Sequence, residues 1–330
     1  MDTSKNIIWG VIGAGNVCEV KSAPAMNQIP GSKIKTIMRR SAEKAADYAQ
    51  RHHIEHWTTD INNIINDPEI TAIYIATPPD THSIYTTLAA TAGKAVYVEK
   101  PMANTYAECI SMIEVCKKHN VPLFVAYYRR TLPGFLKVKK LIESGILGEI
   151  RLVSIEMFQP FQPVLIAQAE TNWRVKPEIA GGGYFHDLAS HQLDYLDFLF
   201  GPITQAKGIT GNQARQYPAD DIVTASFKFE NGVIGSGIWC FTTDSNTEKD
   251  EIKIVGSKGQ LSFNTFGDPM TIKIKVGDSE DTLRYSHKQP IQTPLIQTII
   301  NQENNKGICP STGETAARTT KITDQIVCRK

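Results

Sequence analysis

The sequence predicts an α/β domain followed by an α+β domain. In the first 126 residues, short apolar segments alternate with helical ones, which is typical of a parallel sheet. Beyond about residue 200, the segments alternate apolar and polar residues, which is typical of antiparallel strands. A chain of 330 residues is also long enough for two hydrophobic cores.

In the first domain, apolar periodicity and turn residues locate each element. Short apolar runs predict buried strands, and longer amphipathic stretches predict helices. The predicted strands lie at 7–12, 33–38, 72–76, 95–98 and 123–126, and the predicted helices at 41–52, 83–92 and 105–119.

The pattern changes after this last strand, so we expect a first domain at 1–125 and a second at 126–311. The predicted helices of the second domain lie at 134–144 and 184–200, and its predicted strands at 150–157, 203–210, 222–230, 233–241, 251–255, 260–264 and 271–275. We expect the final helix, 312–330, to pack back on the first domain.

Composition excludes several classes of protein. With 35 basic against 34 acidic side chains, the net charge is +1 and no basic cluster stands out, so we expect no nucleic-acid partner. The six cysteines form no CxxC pair and show no metal-type spacing with histidine, so we expect reduced thiols and no metal. Neither a signal peptide nor an apolar run near the ~20 residues of a membrane helix is evident. We therefore expect a cytoplasmic protein without a membrane partner.

A glycine-rich loop follows the first strand. Gly13 and Gly15 fit a tight turn and a close approach of backbone to a pyrophosphate, and Asn16 and Val17 open the next helix, whose N–H groups favour phosphate. The third glycine of the usual pattern is replaced by Cys18. Because strand, loop, helix and second strand come in the required order, the sequence predicts a Rossmann-type dinucleotide-binding domain.

The end of the second strand indicates which dinucleotide is preferred. An acidic residue that would bond the ribose hydroxyls of NAD is absent there, and Arg39, Arg40 and Ser41 occupy the position. Guanidinium groups suit a 2′-phosphate, so we expect NADP to be preferred over NAD. The alternative is a solvated helix start.

Two further segments carry chemistry. Lys100 lies in Glu99-Lys100-Pro101 at the end of a buried strand, where α/β sheets bind ligands. Asp187 and His191 are four residues apart on a predicted helix, so both project from one face, as a base and its orienting carboxylate require. Alternatively, Lys100 is a surface lysine, Asp187 serves only local helix solvation and His191 is a structural histidine.

The chain resembles the Gfo/Idh/MocA oxidoreductase family over essentially its whole length. The resemblance rests on the loop at Gly13, Ala76-Thr77-Pro78-Pro79 with His82, Glu99-Lys100-Pro101, Trp173-Arg174, and Gly183 through Asp187 to His191. It implies a Rossmann domain and a C-terminal domain with a large, mostly antiparallel open sheet. An open sheet would expose an apolar face, so we expect a homodimer or homotetramer.

The resemblance also implies roles for these residues. Lys100 would lie between nicotinamide and substrate, and Asp187 and His191 would complete the catalytic group. The segment from Ala76 to Pro79, together with His82, Glu99, Trp173 and Arg174, would contact the cofactor. Two positions depart from the family pattern: Cys18, and Ala189 where many members have glycine.

Substrate contacts are expected from the same catalytic residues and from the segment after the last strand of the first domain. Tyr128, Arg129 and Arg130 offer an aromatic face and guanidinium groups that suit sugars, although they could also contact cofactor or pack the domains. We expect an NAD(P)-dependent dehydrogenase or reductase of a sugar, cyclitol or related polyol. A non-catalytic NAD(P) sensor, and a glycoside-cleaving enzyme that uses transient oxidation, are the alternatives. Substrate identity, reaction direction and oligomer size stay open.

Overall fold

The computed structural model describes residues 5–163 and 172–328. They form two compact units. The first comprises the described residues up to Tyr128 together with Lys288–Ala317, and the second comprises Arg129–His287 and the described residues from Arg318 onward. The sequence assigned 288–311 to the second domain, whereas the structure groups this stretch with the first unit.

The first unit is built on a six-stranded parallel sheet. Its strands are β1 (Ile7–Ile12), β2 (Ser32–Met38), β3 (His56–Thr58), β4 (Ala72–Ile75), β5 (Ala95–Val98) and β6 (Leu123–Val125). Their order is β3-β2-β1-β4-β5-β6, and every neighbouring pair is parallel. This order reverses between β1 and β4, which is where Rossmann folds bind nucleotides. The predicted fold class is confirmed.

Helices flank this sheet, and side-chain caps define the starts of α3 and α6. They are α1 (Asn16–Val20), α2 (Ala23–Gln28), α3 (Ala42–Arg51), α4 (Asn62–Ile65), α5 (His82–Thr91), α6 (Tyr106–Lys118) and, after the second unit, α10 (Thr293–Glu303). Ser41 caps α3 by accepting a hydrogen bond from the Lys44 N–H, and Thr105 with Glu108 forms a capping box at α6.

The core of the first unit lies between the sheet and α6. Cys109, Met112 and Cys116 recur at helical spacing on the buried face of α6 and belong to the same apolar cluster as the strand residues Ile75 and Val98. The last helix, α11 (Gly313–Ile326), contributes Ala316 and Ala317 to this cluster. Its first turn therefore packs on the first unit, while its residues from Arg318 onward group with the second.

The second unit is built on an eight-stranded sheet. Its strands are β7 (Ile150–Phe158), β8 (Ile203–Gly211), β9 (Ile222–Phe229), β10 (Ile234–Cys240), β11 (Lys249–Gly256), β12 (Gly259–Phe263), β13 (Met270–Val276) and β14 (Ser279–Tyr285). Their order is β14-β13-β12-β11-β7-β10-β9-β8. Only the pair β7–β10 is parallel among these neighbours.

Period-two alternation gives this sheet one buried and one open face. The buried side chains of β9 and β10 include Val223, Phe227 and Trp239. The open face carries large apolar side chains on β7, β8 and β10. These are Ile209 (78% exposed), Ile234 (58%), Leu152 (44%) and Ile238 (41%).

The helices of the second unit are α7 (Pro133–Glu143), α8 (Pro177–Ala180) and α9 (Ser190–Phe200). Phe135 of α7 and Tyr195 of α9 both pack on Phe263 of β12, with ring centroids 6.1 and 5.8 Å from it. Tyr195 Oη also donates a 2.6 Å hydrogen bond to the Phe135 carbonyl. Among the described residues, no helix is long and apolar enough to cross a membrane.

Some elements were not predicted, for two physical reasons. The helices α4 and α8 and the strand β3 are too short for periodicity to register. The helix expected after the glycine loop is present as two short helices, α1 and α2. The strand β14 is an edge strand with mostly exposed polar residues, so its sequence lacks apolar alternation. By contrast, α10 does bury Leu295, Ile296 and Ile299 at helical spacing, a signal that the sequence offered.

The glycine loop and α3 are linked by an ion-paired cluster. Glu19 of α1 accepts hydrogen bonds of 2.7 and 2.9 Å from the Arg51 guanidinium and lies 2.7 Å from His52 Nε2. The hydrogen bonds from Arg51 lower the pKa of the Glu19 carboxyl from its ordinary 4.5 to about 2. The folded-state pKa is depressed, so the stabilisation is present above pH 4.5 and is lost as the pH falls toward 2.

We therefore expect Glu19→Gln to lower the free energy of unfolding at pH 7 by about 1–2 kcal/mol, since both partners are partly exposed. The difference from the wild type should shrink as the pH falls below 4.5. Urea denaturation at pH 7, 5, 4 and 3.5 measures it. A difference that does not depend on pH would show that the ion pairs are not its source.

Candidate active site

The glycine loop lies where the ends of β1 and β4 meet. Gly13 has φ +87°, and its N–H donates to the Met38 carbonyl of β2 at 3.0 Å. A Cβ at Gly13 would stand 2.6 Å from Thr77 Cγ2 and 2.9 Å from the Thr77 backbone nitrogen. Both the backbone conformation and the close approach of the two strand ends therefore require glycine.

Gly15 serves a different purpose. Its φ is −98°, which any residue adopts, and a Cβ there would meet only the Gly13 carbonyl oxygen, at 3.9 Å. The space beside Gly15 is therefore open, and bare backbone faces it at the start of α1, next to Asn16 and Val17. This is the cradle that a pyrophosphate needs.

Cys18 fills the place of the third glycine without disturbing the loop. It is fully buried, and its Sγ lies 3.8 Å from the Gly13 carbonyl oxygen. The Cys18 carbonyl accepts a 3.0 Å hydrogen bond from Tyr48 Oη. Burial raises the pKa of the Cys18 thiol to about 12, so the thiol stays neutral. Cys18, which departs from the family pattern, thus packs against α3 and leaves the loop intact.

The residues at the end of β2 differ in their burial and in their hydrogen bonds. Arg39 is half-buried and its N–H donates to the Thr58 carbonyl at 3.2 Å, whereas the Arg40 side chain is exposed. The Ser41 hydroxyl accepts a hydrogen bond from the Lys44 N–H at 3.3 Å and so already caps α3. Two guanidinium groups thus lie one strand away from the glycine loop.

The loop after β4 is held in place by His82. Ala76, Thr77 and Pro78 are half-buried and lead into a 3₁₀ turn at Pro79–Thr81. The fully buried His82 ring places Nε2 2.8 Å from the Thr77 carbonyl oxygen and Nδ1 3.1 Å from the Pro101 carbonyl oxygen. Burial lowers the pKa of His82, while the contacts with these carbonyl oxygens oppose that shift, and the ring lies between the loops after β4 and β5.

Glu99 is the centre of a buried polar network beside Lys100. Its Oε1 accepts 2.7 Å hydrogen bonds from Tyr74 Oη and from Gln292 Nε2, and its Oε2 accepts from the Lys100 N–H at 3.3 Å. Tyr97 Oη donates to Gln292 Oε1 at 2.7 Å. Burial raises the pKa of both tyrosines, so they act as neutral donors. Glu99 therefore fixes the backbone from which the half-buried Lys100 projects.

Gln292 is a contributor that the sequence reasoning missed. It lies 193 residues from Glu99 and directly precedes α10. Its backbone N–H also donates to the Lys21 carbonyl at 3.1 Å, which links the network to the C-terminal end of α1. A lone glutamine carries no spacing signal, so only the folded chain could identify it.

In the second unit, three consecutive glycines lead into the Asp187–His191 segment. Gly181 and Gly183 both have positive φ, and a Cβ on Gly182 would overlap the His186 ring. Phe185–Ala189 then forms a π-helical turn before α9 begins. The helix predicted over 184–200 is therefore present, but its first turn is wider than an α-helix. In such a wide turn, residues four apart lie on one side, which is the arrangement expected for Asp187 and His191.

Asp187 is paired with an arginine. Its Oδ2 lies 3.1 Å from Arg174 Nε, and both side chains are largely buried. The Arg174 guanidinium carbon also lies 4.4 Å from the centroid of the Trp173 ring. The pair of predicted cofactor contacts and the predicted catalytic carboxylate thus form one cluster within the second unit.

Arg130 occupies a buried ion-paired site instead of an open one. Its Nε and one terminal nitrogen donate to the two carboxylate oxygens of Asp194 at 2.9 and 2.8 Å, and the same terminal nitrogen lies 3.2 Å from Asp197 Oδ1. Arg318 of α11 donates twice to Asp197, at 2.8 and 2.7 Å. Burial raises the pKa of Asp194 to about 6 even beside Arg130. The Arg130 guanidinium therefore holds α9, and the substrate contact expected of it from the sequence stays a prediction.

Arg129 is committed in the same way. It is buried, its Nε donates to the Thr265 carbonyl at 3.0 Å, and its guanidinium carbon lies 4.4 Å from the centroid of the Phe266 ring. The substrate contact expected of Arg129 from the sequence stays a prediction. Tyr128 belongs to the first unit, where it is buried at the start of a 3₁₀ turn.

His191 lies almost fully buried in the first turn of α9. Its ring packs edge-to-face with Phe266, with centroids 5.8 Å apart and an interplanar angle of 74°. The next residue, Gln192, accepts from Trp239 Nε1 at 2.7 Å, so α9 is also tied to β10. Phe266 and Gln192 are further neighbours of the candidate site that sequence reasoning missed.

Comparison with known proteins identifies relatives of both units. A family model described as an oxidoreductase family with an NAD-binding Rossmann fold matches residues 7–127, and one described as a GFO/IDH/MocA C-terminal domain matches residues 135–262. The chain is 38% identical over 318 residues to oxidoreductase P35 of Formosa agariphila, which covers 96% of this chain and 97% of that protein.

Two more distant relatives bear names that describe reactions. Levoglucosan dehydrogenase of Pseudarthrobacter phenanthrenivorans is 28% identical over 290 residues, with 79% of this chain and 74% of that protein covered. The structure of KijD10, a 3-ketoreductase from Actinomadura kijaniata in complex with NADP, superposes with a TM-score of 0.85 at 17% identity, with 98% of each chain covered. This last likeness shows the fold.

The open space beside Gly15 predicts that an added methyl group affects binding and leaves stability unchanged. Gly15→Ala should leave the free energy of unfolding within about 0.5 kcal/mol of the wild type, because its Cβ meets no neighbour inside 3.9 Å. It should weaken dinucleotide binding by about tenfold or more, because the methyl group occupies the approach to the backbone. Fluorescence titration with NADPH and urea denaturation measure the two effects.

The matched control is Gly307→Ala, where a Cβ would likewise meet no neighbour closer than 3.8 Å. It should change neither quantity. Wild-type affinity in Gly15→Ala would mean that phosphate does not approach this loop.

Proposed function

The chain belongs to the Gfo/Idh/MocA oxidoreductase family, and from that premise we propose that it transfers hydride between NAD(P) and a carbinol or carbonyl carbon of a sugar, cyclitol or related polyol. The single observation that supports this most is the joint presence of the bare-backbone loop at Gly13 and Gly15 and the Lys100 segment at the carboxyl edge of the same sheet. A dinucleotide requires the first, and polarisation of a substrate oxygen requires the second.

The residues of the first unit fit a dinucleotide. The loop Gly13–Val17 would hold the pyrophosphate against backbone N–H groups, since no Cβ fills the space beside Gly15. Arg39 and Arg40 would hold the 2′-phosphate of NADP, which is why we propose NADP as the preferred cofactor. The loop after β4, which includes Ala76, Thr77 and the proline pair, would flank the ribose and nicotinamide.

When bound, the nicotinamide ring accepts or supplies the hydride. In the oxidation direction, we propose that His191 takes the proton of the substrate hydroxyl as general base, and in reduction it returns that proton. The Lys100 ammonium donates a hydrogen bond to the substrate oxygen and stabilises the negative charge that develops on it. Asp187, paired with Arg174 at 3.1 Å, would accept a hydrogen bond from a neighbouring substrate hydroxyl.

Sugars and polyols are the proposed substrate class because one relative, levoglucosan dehydrogenase, is named for a reaction on a sugar derivative. The proposed catalytic groups also suit this class. Lysine and carboxylate side chains bind vicinal hydroxyls through several hydrogen bonds at once.

The roles of His191 and Lys100 can be tested by single substitutions. We expect His191→Ala and Lys100→Met to lower kcat by about 10²–10⁴-fold on the best substrate of a sugar and polyol panel, while the Kd for NADPH changes less than about twofold. Added imidazole should partly restore His191→Ala, since a free base can replace the missing one. His119→Ala, at the end of α6, is the matched control.

Parallel loss of cofactor binding in both variants would instead identify the two residues as structural. Binding of NADPH by the wild type without turnover of any panel member would favour the sensor alternative.

Cofactor preference is tested at the end of β2. Arg40→Ala should raise the Kd for NADPH by about tenfold and leave the Kd for NADH unchanged, because a charge-assisted hydrogen bond to the 2′-phosphate is lost. Lys33→Ala, which removes a cation near the start of the same strand, should change neither value. Equal Kd values for NADH and NADPH in the wild type would contradict the preference itself.

We also propose that the open face of the second sheet mediates a homodimer or homotetramer. Its exposed isoleucines and Leu152 are an apolar surface of the kind that marks an interface. Light scattering should give at least twice the 36.6 kDa chain mass. Ile209→Lys with Ile238→Lys should shift the mass toward the monomer, and a monomeric wild type would overturn the proposal.

A further inference from the structure

Phe266 is the aromatic neighbour of His191. It lies in the loop between β12 and β13, and its half-buried ring meets the imidazole edge-to-face at 5.8 Å. Such pairs have a preferred geometry, so a fixed phenyl ring restricts the plane of the ring that it contacts. The orientation of the imidazole therefore depends on how firmly the Phe266 loop is held.

The backbone of this loop is held by Asp250 of β11. A single carboxylate oxygen, Oδ2, accepts hydrogen bonds from the N–H groups of Thr265 at 2.8 Å and of Phe266 at 2.6 Å. Two charge-assisted bonds to consecutive amides fix both the position and the direction of the loop.

The same cluster is linked to the helix that carries His191. Gln192 Nε2 lies 3.3 Å from Thr265 Oγ1 and 3.4 Å from Asp250 Oδ1. The loop and the first turn of α9 therefore share hydrogen bonds, and movement of one relative to the other would break them.

Arg129 restrains the phenyl ring itself. Its guanidinium carbon stands 4.4 Å from the Phe266 ring centroid while its Nε bonds to the Thr265 carbonyl. A cation over the ring face favours one ring orientation. Arg129 thus holds the phenyl ring and one backbone carbonyl, while Asp250 holds two backbone amides.

We propose that Phe266 is a positioning residue that sets the imidazole plane of His191, and that Asp250 and Arg129 hold Phe266 for this purpose. The inference rests on the proposed acid–base role of His191. Proton transfer depends steeply on alignment, and a misplacement of about 1 Å can cost about 10²-fold in rate. Loss of the phenyl ring should therefore slow the proton-transfer step more than it weakens substrate binding.

The kinetic test compares Phe266→Leu, which keeps apolar volume, with Phe266→Tyr, which keeps the ring. We expect Phe266→Leu to lower kcat by about tenfold, with KM within about twofold and a larger solvent deuterium isotope effect on kcat. Phe266→Tyr should retain kcat within about twofold. Phe198→Leu is the matched control, because Phe198 is also a partly buried ring beneath cations, those of Arg130 and Lys139. Equal kcat in the wild type and Phe266→Leu would overturn the proposal.

A double-mutant cycle tests whether Asp250 acts through Phe266. Asp250→Ala alone should lower kcat about as much as Phe266→Leu, and the double variant should be little worse than either single one. Additive losses would show that Asp250 acts by another route. If Asp250→Ala does not fold, the Phe266 variants and the spectroscopic test below still decide the main proposal.

Nuclear magnetic resonance of ¹⁵N-histidine-labelled, NADPH-saturated full-length protein gives a readout that needs no turnover. In the wild type we expect sharp His191 ring signals with one dominant tautomer, and in Phe266→Leu exchange-broadened or tautomer-mixed signals. Unchanged His191 signals in Phe266→Leu would overturn the positioning role. If the signals change but no sugar or polyol is turned over by the wild type, the proposed function fails while the positioning role stands.

Discussion

A buried carboxylate must be hydrogen-bonded, and this constraint places both segments that carry the proposed reactive groups. Glu99 accepts from Tyr74, Gln292 and the Lys100 backbone, and thereby fixes the end of β5. Asp194 binds Arg130 and thereby fixes the helix that begins with the His191 turn. Leaving either carboxylate unpaired would be strongly destabilising, so the folded state determines the backbone at these two points more tightly than apolar packing would.

The same principle explains where two of the candidate residues lie. Arginines beside aromatic residues after a Rossmann strand resemble a substrate-binding set, but arginine is also the usual partner of a buried carboxylate. In this chain Arg130 meets Asp194 and Arg129 meets the loop of Phe266, so their charges are used inside the second unit. The half-buried Lys100 of the first unit and the Arg174–Asp187 pair of the second unit are charged groups of the kind that bind polar ligands.

Glycine acts at this site by leaving space as well as by allowing unusual torsion angles. Gly13 must lack a Cβ because two strand ends meet there, whereas Gly15 lacks one with nothing of the chain filling the space. The first is a requirement of folding, and we propose that the second serves cofactor binding, which is why alanine at the two positions should have different consequences. Phe266 is the converse case, because it has no reactive group and its proposed role is exerted through the His191 ring that it contacts.

The sequence alone determined the fold class, most strands and longer helices, and the positions of Gly13, Lys100, Asp187 and His191, because these depend on local periodicity and on motifs of fixed spacing. It could not determine that Arg129 and Arg130 are committed to the second unit, that Gln292 joins Glu99 from 193 residues away, or that Phe266 meets His191. Those contacts join residues far apart in the chain. Tertiary structure decides them because hydrogen bonding and packing select partners by distance in space, which single-sequence spacing does not encode.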